Sequence, residues 1–240
     1  MLLIDTDFVA YKAAQACEEC IDFGEDVIIA QSNFKEALKV FERELQKIKT
    51  AMMEDDVILY FSSPRNFRKE IFADYKGHRN RRKPLGYKRL VNYCRDNYNT
   101  VVRDTLEADD SIGIDATNPM YAGTDNIIVS PDKDMRQIPG PLWDMTNDVE
   151  EITKEDGDRW HLIQSLAGDA TDGYSGCPGI GVKRAADILN KHKTPWSAVC
   201  KAYEDKGLSD DDALMNARLA KILQHEDYDH QKQQPILWNP

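Results

Sequence analysis

The chain has 240 residues, 41% of them hydrophobic, enough for one large domain or a core domain with a smaller attachment. No stretch approaches the ~20 consecutive apolar residues that span a bilayer, and the opening "MLLIDTDFVAYKAA" lacks the basic lead of a signal peptide. Five cysteines without framework spacing point to a reducing cytoplasm. A net charge of −11 argues at first against a nucleic-acid partner.

In chain order, "MLLID" is predicted to be a buried strand ending in carboxylates. Cys17 and Cys20 form "CEEC", either half a zinc site or two reduced thiols; no second Cys or His pair has suitable spacing, which favours the thiols. Residues 32–53 place Phe34, Leu38, Phe41, Leu45 and Ile48 three and four apart, an amphipathic helix with Ser32 as its N-cap. "DVILYF" (56–61) is a second buried strand. Residues 65–89 then hold ten Lys/Arg against two Asp/Glu, so the remainder carries 21 basic and 40 acidic residues. A basic strip on an acidic body can grip phosphates, which reverses the argument from net charge. With Pro64, Gly77, Pro84 and Gly86 as punctuation, this strip is expected to be partly irregular.

Residues 85–98 can form a helix, "NTVVRD" a short strand, and "LEADDSIGIDAT" a helix start. "DNIIVSPDKDM" is a third clear strand, again ending in carboxylates, and "PLWDM" a fourth. Helical patterns dominate from about Lys154 to Asp229. The alternation predicts an α/β fold, a mostly parallel central sheet flanked by helices, with a helical C-terminal subdomain. The division expected is a core over 1–160 and a helical unit over 161–240.

Sites in open parallel sheets form beyond the C-terminal strand ends. Asp5 and Asp7, and Asp132 and Asp134, follow such ends. Glu107, Asp109 and Asp110 form a second kind of cluster, and Asp169 and Asp172 lie in "GDATDG". Carboxylates gathered together repel unless cations neutralise them. Oxygen-only ligands indicate a hard cation, Mg²⁺ or Mn²⁺, and a pair of such ions suits in-line attack on phosphodiesters. Each cluster alone has a simpler reading: acids favouring a helix dipole for 107–110, polar turns for "SPDKDM" and "GDATDG". "EITKEDGD" follows no clear strand and is taken as surface. Four clusters in one chain favour the cation site.

"GCPGIGVKRAADIL" fits a helix–hairpin–helix, spanning about 168–190 with the preceding loop. Gly179 and Gly181 let backbone N–H groups approach a phosphate, and Lys183 and Arg184 open a helix whose N-terminus favours the anion. The alternative is a Gly-rich turn with incidental charge. Within the basic strip, "FADYKGHRNRRKP" groups Tyr75, Lys76, Arg79, Arg81, Arg82 and Lys83. The alternative there is a solvated face.

Taken in order, "LLIDTD", "NFRKEIFADYKGHRNRRKPLGY", "LEADDSIG", "IIVSPDKDM" and "WHLIQSLAGDATDGYSG" make the chain resemble the 5′-nuclease (flap endonuclease) superfamily, closest to the 5′→3′ exonucleases of podovirus-type bacteriophages. The resemblance implies a 5′-nuclease/PIN-like fold whose residues 65–89, Arg68 included, form an arch that meets DNA. It implies that Asp5, Glu107, Asp109, Asp110, Asp132 and Asp134 hold one Mg²⁺ and share a second, that Asp169 and Asp172 complete the second, and that Mn²⁺ can substitute. Lys76 and Arg79 would contact the scissile phosphate, and K⁺ would sit at the helix–hairpin–helix. The implied activity is 5′→3′ exonucleolytic and flap cleavage of duplex DNA with removal of RNA primers from RNA–DNA hybrids. It would act in the bacterial cytoplasm beside other phage replication proteins. One departure stands out: Ser62 and Ser63 follow the second strand, where the family usually has an aspartate, and Asp7 is not a general family ligand. Two alternatives remain: a haloacid-dehalogenase-type phosphatase, from "LLIDTD" and "GDATD", and a DNA-binding relative that does not cut.

Overall fold

A computed structural model describes residues 1–79, 82–121, 126–191 and 195–240. Arg81, expected on DNA, lies outside the described residues. Strand β1 (Leu2–Asp5) runs directly into helix α1 (Thr6–Ala16), so Asp5 ends the strand and caps the helix. A hairpin follows, β2 (Glu18–Asp22) against β3 (Ile28–Ser32), with Cys17 at its base and Cys20 within it. Helix α2 (Phe34–Met52) buries Phe41, Leu45 and Ile48. Its cap is Asn33, whose side chain accepts from the Lys35 and Glu36 N–H groups; the expected cap, Ser32, is already paired in β3.

Strand β4 (Val57–Tyr60) leads into the basic strip, whose described residues form a short helix, α3 (Phe67–Ile71), then turns, before the next helix begins at its end. Helix α4 (Tyr87–Asn97), strand β5 (Thr100–Val101), helix α5 (Ala108–Ala116) and strand β6 (Ile127–Val129) follow, then a 3₁₀ turn over Lys133–Gln137. Strands β7 (Gly140–Trp143) and β8 (Glu150–Ile152) complete the sheet. Thus "EITKEDGD" (151–158), taken as surface from sequence, begins within an edge strand whose Glu150 and Glu151 are exposed. Helices α6 (Lys154–Ala167), α7 (Val182–Asn190), α8 (Pro195–Glu204) and α9 (Asp210–Ala220) make up most of the rest.

The six-stranded sheet runs β5-β4-β1-β6-β7-β8 and is parallel except for β8. Its central strands are apolar up to their C-terminal ends, as strands covered on both faces must be: Leu2, Leu3, Ile4 and Leu59 are each at most 1% exposed. One face packs on α1, α2 and α4 through Val9, Phe41, Ile48 and Leu90. The other packs on α5 and the 3₁₀ turn through Ile112, Met135 and Ile138. A second core joins α6, α7, α8 and α9 around Leu166, Leu189, Val199 and Tyr203.

The boundary expected at residue 160 falls inside α6, and the chain after α9 returns to the sheet side, where Leu223 packs with Ile114 and Leu106. Gly168 and Gly176 close the "GDATDGYSG" loop. Both have positive φ (+69° and +63°), and a Cβ on Gly176 would lie 2.3 Å from the Gly168 nitrogen. Only glycine lets these two backbones meet.

Candidate active site

The sheet's parallel order brings the C-terminal ends of β1, β4 and β6 side by side, and the four acidic segments meet there. From β1, Asp5 accepts from the Ser130 hydroxyl at 3.0 Å, which links it to the end of β6. In the first turn of α1, Asp7 accepts from the Ser62 N–H at 3.0 Å and from the Tyr87 hydroxyl. The Asp7 carboxylate therefore stands at the end of β4, where Ser62 and Ser63 follow the strand. Asp132 caps the 3₁₀ turn by accepting from the Asp134 N–H at 2.9 Å. Glu107 is the N-cap of α5, with Asp109 in its first turn.

Asp169 and Asp172 are set by the glycine-closed loop, which docks on the turn at 74–79. The Lys76 N–H donates to the Asp172 carbonyl at 2.7 Å, and Lys76 itself has φ +53°. Gly173 makes this approach possible, since a Cβ there would lie 3.1 Å from the Asp74 carbonyl oxygen and 3.3 Å from the Lys76 nitrogen. The Lys76 ammonium pairs with Glu107 and stands 3.5 Å from Asp172. Arg79 donates to Asp172 at 2.8 Å. The Tyr75 hydroxyl lies 2.9 Å from Glu107 and 2.8 Å from Asp172. Lys133 reaches Asp169 at 3.4 Å.

The electrostatics divide the acids into two groups. Burial pushes Asp5 up to about 7, helped by the charges of Asp7 and Asp132. Burial likewise raises Asp134 to about 7, with Asp132 adding to it. Asp109 is raised well above the carboxylate range by burial and by Glu107. Asp172 is raised by burial, which Lys76 and Arg79 only partly offset. Glu107 goes the other way, down to about 2: burial opposes its ionisation, but Lys76 and Arg68 outweigh it. Asp169 is also lowered, the N–H groups of Thr171 and Asp172 and the Lys133 charge overcoming burial.

Among the described residues no three His, Cys, Asp or Glu side chains already converge as a metal-binding group. Lys76 and Arg79 stand between the carboxylates instead. The donor set nevertheless fits hard divalent cations: it is all oxygen, the Asp134 Oδ1 atom is buried without a hydrogen-bond partner, and the nearby cations do not offset what burial and neighbouring carboxylates do to Asp5, Asp109 and Asp134.

Three residues expected on metal or DNA are enclosed by the protein. Asp110, expected on metal, is fully buried, and its oxygens are already used. They accept from the Arg68 guanidinium at 2.7 and 2.8 Å, from the Leu223 N–H at 3.1 Å and from the Glu107 N–H at 3.2 Å. Arg68, expected on DNA, is only 2% exposed and also donates to the Leu219 carbonyl at 3.0 Å. Tyr75, likewise expected on DNA, is 1% exposed and faces the carboxylates. A charge run cannot reveal which of its members turns inward, but an aromatic beside an arginine facing an acidic helix start was the available signal.

Of the remaining basic residues, Lys83 is exposed over the Tyr87 ring, and Arg82 makes a two-pronged pair with Glu18 at 2.8 and 2.7 Å. That pair ties the β2–β3 hairpin to the basic strip, a link no sequence pattern suggested. At the other end of the site, Lys183 and Arg184 are exposed in the first turn of α7. A Cβ on Gly179 or Gly181 would meet no atom within 4 Å, so packing does not require glycine there.

The family model described as "5'-3' exonuclease, N-terminal resolvase-like domain" matches residues 1–159. The chain belongs to this 5′-3′ exonuclease family. Its phage-type character comes from two relatives. The exodeoxyribonuclease of Enterobacteria phage T3 is 28% identical over all of this chain and 93% of its own length. The exonuclease of Escherichia phage T7 is 27% identical with the same coverage. The flap endonuclease Xni of Shewanella pealeana is 34% identical over 54% of this chain and 56% of its own. In fold, the chain is similar to the bacteriophage T5 D15 flap endonuclease, solved as a pseudo-enzyme–product complex with DNA and metal ions. That likeness has a TM-score of 0.67 at 14% identity and covers 92% of this chain and 88% of that one. With the family shown, this 5′-3′ exonuclease is an enzyme of the nuclease class, and among its described residues no helix is long and apolar enough to cross a membrane.

Proposed function

We propose that the protein is a Mg²⁺-dependent 5′→3′ exonuclease on duplex DNA, with flap cleavage and removal of RNA 5′ ends as further activities. The observation that carries this is the convergence of four sequence-distant acidic segments at the ends of β1, β4 and β6, with more carboxylates than the local cations neutralise. Asp5, Asp132, Asp109 and Glu107 would hold one ion, and Asp134, Asp169 and Asp172 a second; Mn²⁺ shares their preference for oxygen. Bound there, the ions would lower the pKa of water and neutralise charge on the phosphate.

The chain's own part is positioning. Lys76, between Glu107 and Asp172, and Arg79, at the rim of the carboxylate cleft, would hold the scissile phosphate as fixed positive charges. Tyr75 fixes Glu107 against Asp172. Arg68 and Asp110 hold the α5 start that presents Glu107 and Asp109. Gly179, Gly181, Lys183 and Arg184 would grip the duplex backbone without reading sequence, with K⁺ as a candidate there. Arg82 and Lys83 would meet the 5′ strand. RNA–DNA hybrid as substrate, other phage replication proteins as partners and the host cytoplasm as location complete the proposal.

The phosphatase alternative leaves Glu107, Asp109 and the basic strip without a task, although these residues join the same cleft. The test is Asp132→Ala with Asp134→Ala, assayed with a Mg²⁺ titration on 5′-labelled blunt, flapped and RNA-primed duplexes. Loss of 5′-phosphate products supports the reading; undiminished cleavage refutes it.

A further inference from the structure

Two of the acidic segments belong to different parts of the fold. Asp132 and Asp134 sit on the 3₁₀ turn after β6, and Asp169 and Asp172 on the loop after α6. They nevertheless face each other. Lys133 lies 4.0 Å from Asp134 and 3.4 Å from Asp169, and the charges of Asp169 and Asp172 help to raise Asp134.

A buried amide pair joins the two segments. Gln137 ends the 3₁₀ turn and is 1% exposed. Its side-chain nitrogen donates to the Gln164 side-chain oxygen and to the Ala220 carbonyl, both at 2.6 Å. Its side-chain oxygen accepts from the Ile222 N–H at 2.9 Å, and its main-chain carbonyl accepts from the Gln224 side chain at 3.1 Å. Gln164 is buried on α6, and its own carbonyl accepts from the N–H of Gly168, the residue before Asp169, at 2.8 Å. A short path therefore leads from Asp134 along the turn to Gln137, across to Gln164 and on to Asp169. Gly157 lets α6 come this close, since a Cβ there would lie 2.5 Å from the Gln137 carbonyl oxygen. The stretch after α9 that receives Gln137 also holds the start of α5: Leu223 donates to Asp110, and the Leu219 carbonyl accepts from Arg68.

Filling space does not require this pair. Replacing two buried polar partners by apolar groups of the same shape is nearly neutral for stability. What apolar groups lack is direction, whereas a fully satisfied buried network specifies one arrangement. We propose that Gln137 and Gln164 are positioning residues for phosphodiester cleavage: their bond fixes the spacing of the Asp132–Asp134 turn against the Asp169–Asp172 loop. This deepens the two-ion reading of the cleft and rests on it. Ions held between those segments require the spacing to be kept within about 0.5 Å. Neither glutamine touches the substrate; both act through the carboxylates.

Three variants test the role without altering a cleft carboxylate. Gln164→Leu removes the acceptor, Gln164→Glu keeps it, and Gly157→Ala keeps both amides but pushes α6 off the turn. Each is measured for Tm, for kcat and KM on 5′-labelled duplex with saturating Mg²⁺, and for Mn²⁺ affinity by calorimetry without DNA. Gln164→Leu and Gly157→Ala are expected to lower kcat and the affinity of the weaker of two Mn²⁺ ions about tenfold each, with KM within about twofold. Gln164→Glu should keep both quantities close to wild type. Unchanged kcat and Mn²⁺ binding in Gln164→Leu and Gly157→Ala, whatever their Tm, overturn the positioning role. A Gln164→Glu protein as impaired as Gln164→Leu also overturns it. If Gln164→Leu does not fold, Gly157→Ala decides alone, because alanine favours a helix over glycine. Failure of the two-ion reading looks different: wild type itself would neither cut with Mg²⁺ nor take up two Mn²⁺ ions, and the positioning would fall with it. Failure of the positioning alone leaves an active wild type with variants equal to it.

Discussion

Arg68→Met should cost the protein more than any other single change in the basic strip. The guanidinium is 2% exposed, and the Asp110 carboxylate it holds is fully buried. Removing it leaves Asp110 with two backbone N–H donors, from Glu107 and Leu223, and no counter-charge. It also strips a donor from the Leu219 carbonyl. Breaking one side of a buried ion pair costs about 3–5 kcal/mol. For a chain of this size each kcal/mol moves Tm by about 2–4 °C, so a fall of about 10 °C is expected. The assay is thermal unfolding by circular dichroism on Arg68→Met, on Asp110→Leu and on the double variant. The double variant should recover part of the loss, because the apolar pair no longer strands a charge. At a temperature where all variants are folded, the salt dependence of DNA binding should match the wild type. A Tm within about 2 °C of wild type, together with a shallower salt slope, would show that Arg68 faces DNA and that the burial argument is mistaken.

Two further outcomes follow from the electrostatics. Asp134 keeps its proton up to about 7 in the folded, metal-free protein, but an unfolded chain loses it near 3.8. The folded state then binds more protons between those values, so stability falls as pH rises from about 4 to about 7, and the full cost is present above 7. Asp134→Asn removes that cost. In EDTA its Tm should exceed that of wild type at pH 8, with the gap closing toward pH 4; a gap independent of pH would refute the assignment. Lys183→Ala with Arg184→Ala removes two exposed charges from the start of α7. Duplex affinity should fall about tenfold at physiological salt while kcat at saturating DNA stays within about twofold. A loss confined to kcat would mean that the hairpin acts on the chemistry instead.

Much of this protein is legible in its sequence because the signals are local. Apolar runs ending in aspartates placed β1 and β6, since a strand covered on both faces has to be apolar and turns polar where it leaves the sheet. The spacing of Phe41, Leu45 and Ile48 gave α2 for the same reason, one helix face being buried. The glycines of "GDATDGYSG" announced a tight loop before any contact was known.

What the tertiary structure alone decided is which charges face which. Arg68 and Arg79 look alike in a basic run, yet one is enclosed by α5 and the chain after α9 and the other stands at the rim of the cleft. Glu107, Asp109 and Asp110 are three acids in four residues, but helical geometry turns Asp110 inward to Arg68 and leaves Glu107 and Asp109 toward the cleft. Asp7 meets Ser62 across 55 residues, and Arg82 meets Glu18 across 64. Residue type sets what a group can do in water. Its burial and partners set its charge state and its reach, and those depend on segments that are distant in the chain.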